Sequence, residues 1–553
     1  MSRPADRALD LAGERLLRSF TGTTPTPGIL AAIGARSTSG VTLFRAKNVA
    51  SPGQIRALTA ALQAARPAGD PPLIIAVDQE GGQLQAVGSH LDRGVESGAT
   101  AWPGNLAIAA TGSVDLARRT GAAIGLELAA MGVNVDFAPV CDLLDDPRNP
   151  VMGTRTFGDS PALAGRFAAA FVRGMQSVRV GATLKHLPGH GAVAGDSHLS
   201  LPVLDIDAGR LRARELAPFR TGISAGARIV MLGHLAVPAL TGSRSVPATL
   251  APEVARDLVR DELGFRGVTI TDALDMGALA RFGRLPELAL LAAAAGNDLL
   301  LSAHPEDVED EAVAALAGAI QSGRLDMADA WAASRRIRTL RRWLAGGIGQ
   351  PALSVVGSAE HRALARETAE RSITRLRDRA GLLPVGPGRH ITVVTPRPGD
   401  LTPADTSSYL RLSLADALRS EGLKVEELVI LMDPSDAEIA AVRAVLSASL
   451  AAAPGSLAIV GTIDALAHPR QARLVTALVE AGIPTAAIAL RTPLDLGAYP
   501  TVGTALAIYG LQPPTLEALA RAITGRIPFQ GRLPVNYTEG VAVVGADGIS
   551  SRR

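Results

Sequence analysis

Between Ala182 and Val203 the chain reads "ATLKHLPGHGAVAGDSHLSLPV", placing His186, His190 and His198, three of its nine histidines, beside Lys185 and Asp196. Pro188 and the glycines at 189, 191 and 195 forbid one continuous helix. The segment is expected to be a strand running into a long loop, and loops held by a rigid scaffold are where catalytic side chains gather. Asp196 and His198 stand two apart. In extended backbone such a pair projects to one side, where the carboxylate accepts the Nδ1 proton and holds the other ring nitrogen toward a substrate. That is a general acid/base dyad. Asp272, in "VTITDALDM", offers a carboxylate at an expected strand end, as a nucleophile or electrostatic partner opposite the dyad. Its competing reading is the N-cap of a helix that begins at "ALDMGAL".

Other chemistries fit less well. His186, His190 and His198 with Asp196 are zinc-type donors, but the H-x-x-x-H spacing needs a helix and "HLPGH" is broken, so no metal or other cofactor is expected. The one G-x-S-x-G string, at residues 222–226, precedes the apolar run "RIVML" instead of following a strand, so it is not the strand-to-helix elbow of a serine hydrolase. Cys141 is its only cysteine, which excludes an intramolecular disulfide and cysteine-held clusters.

The elements that must carry these groups follow one pattern through the first 300 residues. Apolar runs end abruptly in polar clusters: "GVTLF" into "RAKN", "PLIIAV" into "DQEGG", "VNVDFAPV" into "CDLLDD", "ATL" into "KHLPGHG", "RIVML" into "GHLAVP", "VTIT" into "DALDM" and "NDLLL" into "SAHPED". Helical patterns such as "DLARRTGAAIGLELAAMG" lie between them, so the sheet is parallel. Seven such units, without a G-x-G-x-x-G or phosphate-binding loop after the first, indicate an α/β fold with a (β/α)8-type barrel. The polar clusters sit at the C-terminal ends of the strands, the face on which barrels build active sites.

"GGIGQPALSVVGS" from residue 346 reads as a linker and "AEHRALARETAERSITRLRD" as a helix after it. Strands "ITVVTP", "ELVILMD", "LAIVGT", "TAAIALR" and "TALAIYG" then alternate with helices, as in an open αβα sandwich. The expected division is residues 1–345 for the barrel, 346–388 for linker and connecting helix, and 389–545 for the sandwich. The run "RRIRTLRRW", Arg335 to Trp343, spaces Ile337, Leu340 and Leu344 as an amphipathic helix with a solvated basic face. With 55 basic and 53 acidic residues the chain has no footprint for nucleic acid. Its longest apolar run, "LALLAAAAG", is far short of the ~20 residues of a membrane helix. The first 20 residues lack the apolar core of a signal peptide, so a cytoplasmic location is expected.

"KHLPGHG" followed by "DSH" and "LPV" resembles the signature of the N-acetylglucosaminidase branch of glycoside hydrolase family 3. "VDQEGG", "WPGNLAIAATG", "VNVDFAPVCD", "NPVMGTRTFG", "TDALDM", "AGNDLLL", "SITRLRDRAGLLP", "ALRTPLDL" and "GRLPV" follow the family's order along most of the chain. The resemblance implies a retaining enzyme with Asp272 as nucleophile, His198 as acid/base and Asp196 as its orienting carboxylate. It implies sugar-binding roles for Asp78, Arg155, Lys185 and His186, where charged groups grip hydroxyls and an acetamido group. For Arg155 the alternative is a structural ion pair with Asp136 or Asp142. The chain departs from the family after "DQEGG", where Gln83 and Ala86 stand in a run that usually supplies arginine.

The implied activity is exo-acting release of N-acetylglucosamine from peptidoglycan or chitin fragments. A β-glucosidase, a phosphorylase using inorganic phosphate, and a non-catalytic sugar-binding protein on the same scaffold are the alternatives. The phosphorylase reading rests on electrostatics. A neutral histidine does not repel phosphate as a carboxylate does, and Lys185, His186 and Arg155 can attract it.

Overall fold

The computed structural model describes residues 4–88, 98–147, 149, 151–347, 349–412 and 414–536. Eight parallel strands form the first sheet: β1 (Leu16–Arg18), β2 (Gly40–Thr42), β3 (Ile74–Val77), β4 (Val135–Asp136), β5 (Gly181–Leu187), β6 (Ile229–Leu232), β7 (Val268–Thr271) and β8 (Leu300–Leu301). Each pairs with its neighbour in sequence, β8 pairs back onto β1, and an Ile270–Leu299 bridge links β7 to the residue before β8. The sheet thus closes into a (β/α)8 barrel. Strand alternation sets its layers. Ile74 and Ala76 of β3 face the barrel interior with Leu17, Phe137, Met231 and Ile270, while Ile75 and Val77 face the surrounding helices.

Seven strands were expected and the eighth is β1, which closes the ring. It is three residues long and carries a buried Arg18 that pairs with Asp310 at 2.8 Å, so no apolar run announces it. The helix Met327–Ala345 inserts Ile337, Leu340 and Leu344 into the barrel's own core cluster. Its basic residues are less solvated than the amphipathic pattern predicts. Arg336 pairs with Asp298, Arg338 with Glu14, and the buried Arg341 donates to the carbonyls of Pro71 and Pro72.

The second sheet is mixed, in the order β9 (Thr374–Asp378), β14 (Thr504–Ala507), β13 (Thr485–Ala489), β12 (Leu457–Thr462), β10 (His390–Pro396), β11 (Lys424–Ile430). All its pairings are parallel except β9 against β14, and separate apolar clusters cover its two faces. Two readings of the sequence change here. The single helix expected over 359–378 ends at Ser372, and Thr374–Asp378 becomes an antiparallel edge strand, so the segment 346–388 is more than a connector. The strand expected at "ELVILMD" lies three residues earlier, at Lys424–Ile430, a largely exposed edge whose first half, "KVEE", carries charge instead of an apolar run. Residues 537–545 of the expected sandwich lie outside the described residues.

The two units share a core, because Leu106, Ala107, Ala110 and Leu144 pack in the same cluster as Leu496 and Tyr499. The "GRLPV" segment straps them together, with Gly531 N–H on the carbonyl of Ile373 and Arg532 N–H on that of Ala110. A Cβ at Gly531 would lie 1.9 Å from the Ser372 oxygen, so only glycine fits this crossing. Among the described residues no helix is long and apolar enough to cross a membrane.

Candidate active site

A pocket of about 430 Å³ opens at the C-terminal ends of the barrel strands, and Asp78, Arg155, Lys185, His186, His198 and Asp272 all line it. Asp196 stands directly behind His198. The structure therefore brings every residue expected at the site into one place.

Asp272 follows the last residue of β7, and its N–H donates to the Leu232 carbonyl of β6. It caps no regular helix: its Oδ1 accepts the N–H of Ala273 at 2.8 Å, and the next helical turn begins at Gly277. Burial raises its pKa, but His186, His234, His198 and the Ala273 N–H outweigh burial and hold the carboxyl below its usual value. An ionised carboxylate at neutral pH is what a nucleophile requires.

Asp196 and His198 form a dyad, with Oδ1 and Nδ1 2.6 Å apart. The backbone geometry differs from the extended loop expected. Asp196 Oδ1 also accepts the N–H of His198 at 2.8 Å, and its carbonyl accepts the N–H groups of Leu199 and Ser200, so the dyad is built on a tight aspartate turn. The side chain of Asp196 is 6% exposed and that of His198 is 23% exposed. The outer part of the imidazole is thus the portion of the dyad that reaches the pocket. Burial pushes the Asp196 carboxyl up, and the two hydrogen bonds from His198 bring it below its ordinary value.

The pocket floor is a lattice of alternating charge. Lys185 Nζ lies 2.5 Å from Asp78 and 2.7 Å from Glu80, and Arg155 grips Glu80 through two bonds of 2.8 Å. The partner of Arg155 is thus Glu80, where the sequence suggested Asp136 or Asp142. Burial opposes the Glu80 charge, but Arg155 and Lys185 prevail and depress its pKa to about 2. Asp78 and Glu80 reciprocally raise Lys185 despite its burial.

His186 presents Nδ1 to Asp142 at 2.7 Å, and burial followed by the nearby Arg155 drives it well below the usual histidine range. The ring is neutral at pH 7 and keeps Nε2 as an acceptor. Asp142 also accepts the N–H groups of His186 and His190, which fixes the start of the loop. His190, which also lines the pocket, places Nε2 3.0 Å from the Ser197 hydroxyl. Among the described residues no group of three or more histidine, cysteine, aspartate or glutamate side chains can hold a metal.

Several pocket groups were not foreseen. Glu80 sits inside "DQEGG" but acquires its role from residues 75 and 105 positions away. His234 lies near Asp272 and is fixed between Thr249 and the Ala273 carbonyl, both at 2.9 Å. The second unit supplies one wall: Asp400, Pro403, Thr406 and Tyr409 line the pocket. The Thr406 N–H and hydroxyl both donate to the Gln83 carbonyl at 2.8 Å, and the Tyr409 ring lies 4.2 Å from the Arg45 guanidinium. Arg45 and Lys47, from the "RAKN" that follows β2, also line the pocket, so its wall carries cations although Gln83 and Ala86 replace the arginines expected after "DQEGG".

The family profile described as "Glycosyl hydrolase family 3 N terminal domain" matches residues 29–340. Beta-hexosaminidase A of Pseudoalteromonas piscicida is 30% identical over 93% of this chain and 91% of its own length. A Beta-hexosaminidase of Stenotrophomonas maltophilia strain K279a is 39% identical over 51% of this chain and 80% of its own. Among solved structures, a glycoside hydrolase family 3 beta-N-acetylglucosaminidase from Paenibacillus sp. superposes with a TM-score of 0.84 at 33% identity. That superposition covers 96% of this chain and 99% of the other.

Proposed function

The chain belongs to glycosyl hydrolase family 3, and we propose that this glycoside hydrolase is a retaining, exo-acting β-N-acetylhexosaminidase releasing N-acetylglucosamine from non-reducing ends. The observation that carries the reading is that an ionised Asp272 and a carboxylate-backed His198 share one pocket. In the first step Asp272 attacks the anomeric carbon while His198 protonates the departing oxygen, and a glycosyl-aspartate forms. In the second, His198 takes a proton from water as it attacks that ester, and the configuration is retained. Asp196 holds the ring by Nδ1 and stabilises the imidazolium each time it forms. Asp78, Lys185, Arg155 and His186 grip the sugar. The barrel, expected over residues 1–345, carries this chemistry, 346–388 joins the units and adds an edge strand to the second sheet, and the second unit supplies a wall through residues 400–409.

Hydrolysis is favoured over phosphorolysis. Asp78 and Glu80 offset Lys185 and Arg155, and His186 is neutral, so these three residues give an incoming phosphate little net attraction. The test is turnover of nitrophenyl N-acetyl-β-glucosaminide against the matching glucoside, with products identified in phosphate and in a non-nucleophilic buffer. Free N-acetylglucosamine, released first as the β-anomer, is expected. Preference for the glucoside, accumulation of sugar 1-phosphate, or no turnover would each replace the reading by one of its alternatives.

A further inference from the structure

The end of the barrel opposite Asp272 holds a second cavity, of about 570 Å³, between the loops that lead into β6 and β7 and the helix Met327–Ala345. Its wall carries four arginines, Arg228, Arg266, Arg335 and Arg336, and no aspartate or glutamate. Arg336 is neutralised by Asp298, a carboxylate it shares with Arg260. Among the described residues, Arg228, Arg266 and Arg335 have no carboxylate partner. Surface arginines elsewhere on the barrel behave differently: Arg210 and Arg214 share Asp145, and Arg212 and Arg220 share Glu262.

A second observation points the same way. Nε of Arg228 is sealed from solvent and meets no hydrogen-bond acceptor. Its guanidinium lies 4.8 Å from the centre of the Trp343 ring, with that of Arg179 5.2 Å from the same ring. The ring's negative face relieves part of this crowding but supplies no lone pair for the Nε proton. Like charges gathered in a concavity concentrate positive potential, and the guanidinium fork matches the oxygens of a phosphate group.

We propose that this arginine-lined cavity at the N-terminal end of the barrel binds an anion through its phosphate groups, at a site separate from the sugar pocket. The site stands on the opposite end of the same strands and is independent of the sugar that the barrel cleaves.

The experiment is calorimetric titration of the full chain with sodium pyrophosphate, and in parallel with ADP, at fixed ionic strength. One saturable site is expected, weakened at least about tenfold by Arg335→Gln and by Arg228→Gln, with turnover of the nitrophenyl sugar within about twofold of wild type. Arg335 is exposed on its helix, so its variant keeps the test open where Arg228→Gln fails to fold. Equal affinity for the two ligands assigns the contacts to phosphate alone, and tighter binding of ADP adds a contact to the nucleoside. Three results would overturn the proposal: no saturable binding of either ligand, wild-type affinity in the variants, or displacement of pyrophosphate by N-acetylglucosamine.

Discussion

At the carboxyl ends of the barrel strands, Lys185, Arg155, Asp78 and Glu80 alternate in sign around an open pocket. At the corresponding edge of the second sheet, Asp405, Arg491, Asp464 and Asp495 are packed against one another and largely sealed. Parallel sheets present polar loops at this edge as a matter of topology, and both units obey the rule. They diverge in access and in protonation. Asp272 is held ionised by surrounding histidines, whereas burial and then Asp464 push Asp495 up to about 8, so it keeps its proton at neutral pH. The sealed crevice serves the open one. Buried Arg491 binds Asp405 at 2.8 Å, and Asp405 accepts the N–H groups of Leu401 and Ser407, ordering the loop that brings Thr406 and Tyr409 to the pocket.

Breaking the open crevice has the largest expected effect. Asp272→Ala loses at least about 10³-fold in turnover, the scale of a removed covalent nucleophile, with an unchanged melting temperature. Near-normal turnover in the folded variant would take the role from Asp272. His198→Ala loses about 10²-fold or more on substrates with poor leaving groups and much less on activated aryl glycosides, whose phenolate departs unaided. Asp196→Ala repeats the pattern more mildly. Equal losses on both substrate types assign the dyad to binding.

The contrast between crevices also decides what the sequence discloses. Barrel strands buried on both faces appear as apolar runs, and the candidate site groups stand immediately after those runs, which is why Lys185, His186 and Asp272 are legible. The dyad is legible because its two members are neighbours, although its turn geometry is not. Pairings across long stretches of chain leave no local trace: Thr406 meets Gln83 across 323 positions. β1 and β9 are missed for a related reason, since a buried Arg18 and the charged "TRLRD" interrupt the apolar signal, and the pairing of Arg18 with Asp310 and of β9 with β14 spans long stretches of chain.

A milder break acts through the sealed crevice. Arg491→Met strands a buried Asp405 carboxylate and costs about 3–5 kcal/mol of stability in the second unit. It also loosens the wall loop, so KM for a disaccharide rises about tenfold while kcat on a small aryl glycoside changes less than about threefold. The double variant Arg491→Met/Asp405→Leu regains most of the melting temperature but keeps the raised KM. Recovery of KM together with stability would show that the pair acts on folding alone.

The smallest effect sharpens the protonation difference. Ordinary carboxyls ionise near 4, whereas in the folded chain burial and then Asp464 raise Asp495 to about 8, and burial and then Asp145 raise Glu215, beneath the histidine loop at Gly189, to about 7. Between these values the folded state binds more protons than the unfolded chain, so the free energy of unfolding falls as pH rises. The stabilisation these groups give is complete below about pH 4 and is lost by about pH 7 for Glu215 and pH 8 for Asp495. Asp495→Asn and Glu215→Gln remove the proton that titrates and flatten the decline in melting temperature between pH 5 and pH 9. Asp272→Asn leaves that decline as steep as in wild type, because Asp272 is already ionised across this range. Parallel melting profiles for Asp495→Asn and Asp272→Asn would show that the two crevices do not differ in protonation.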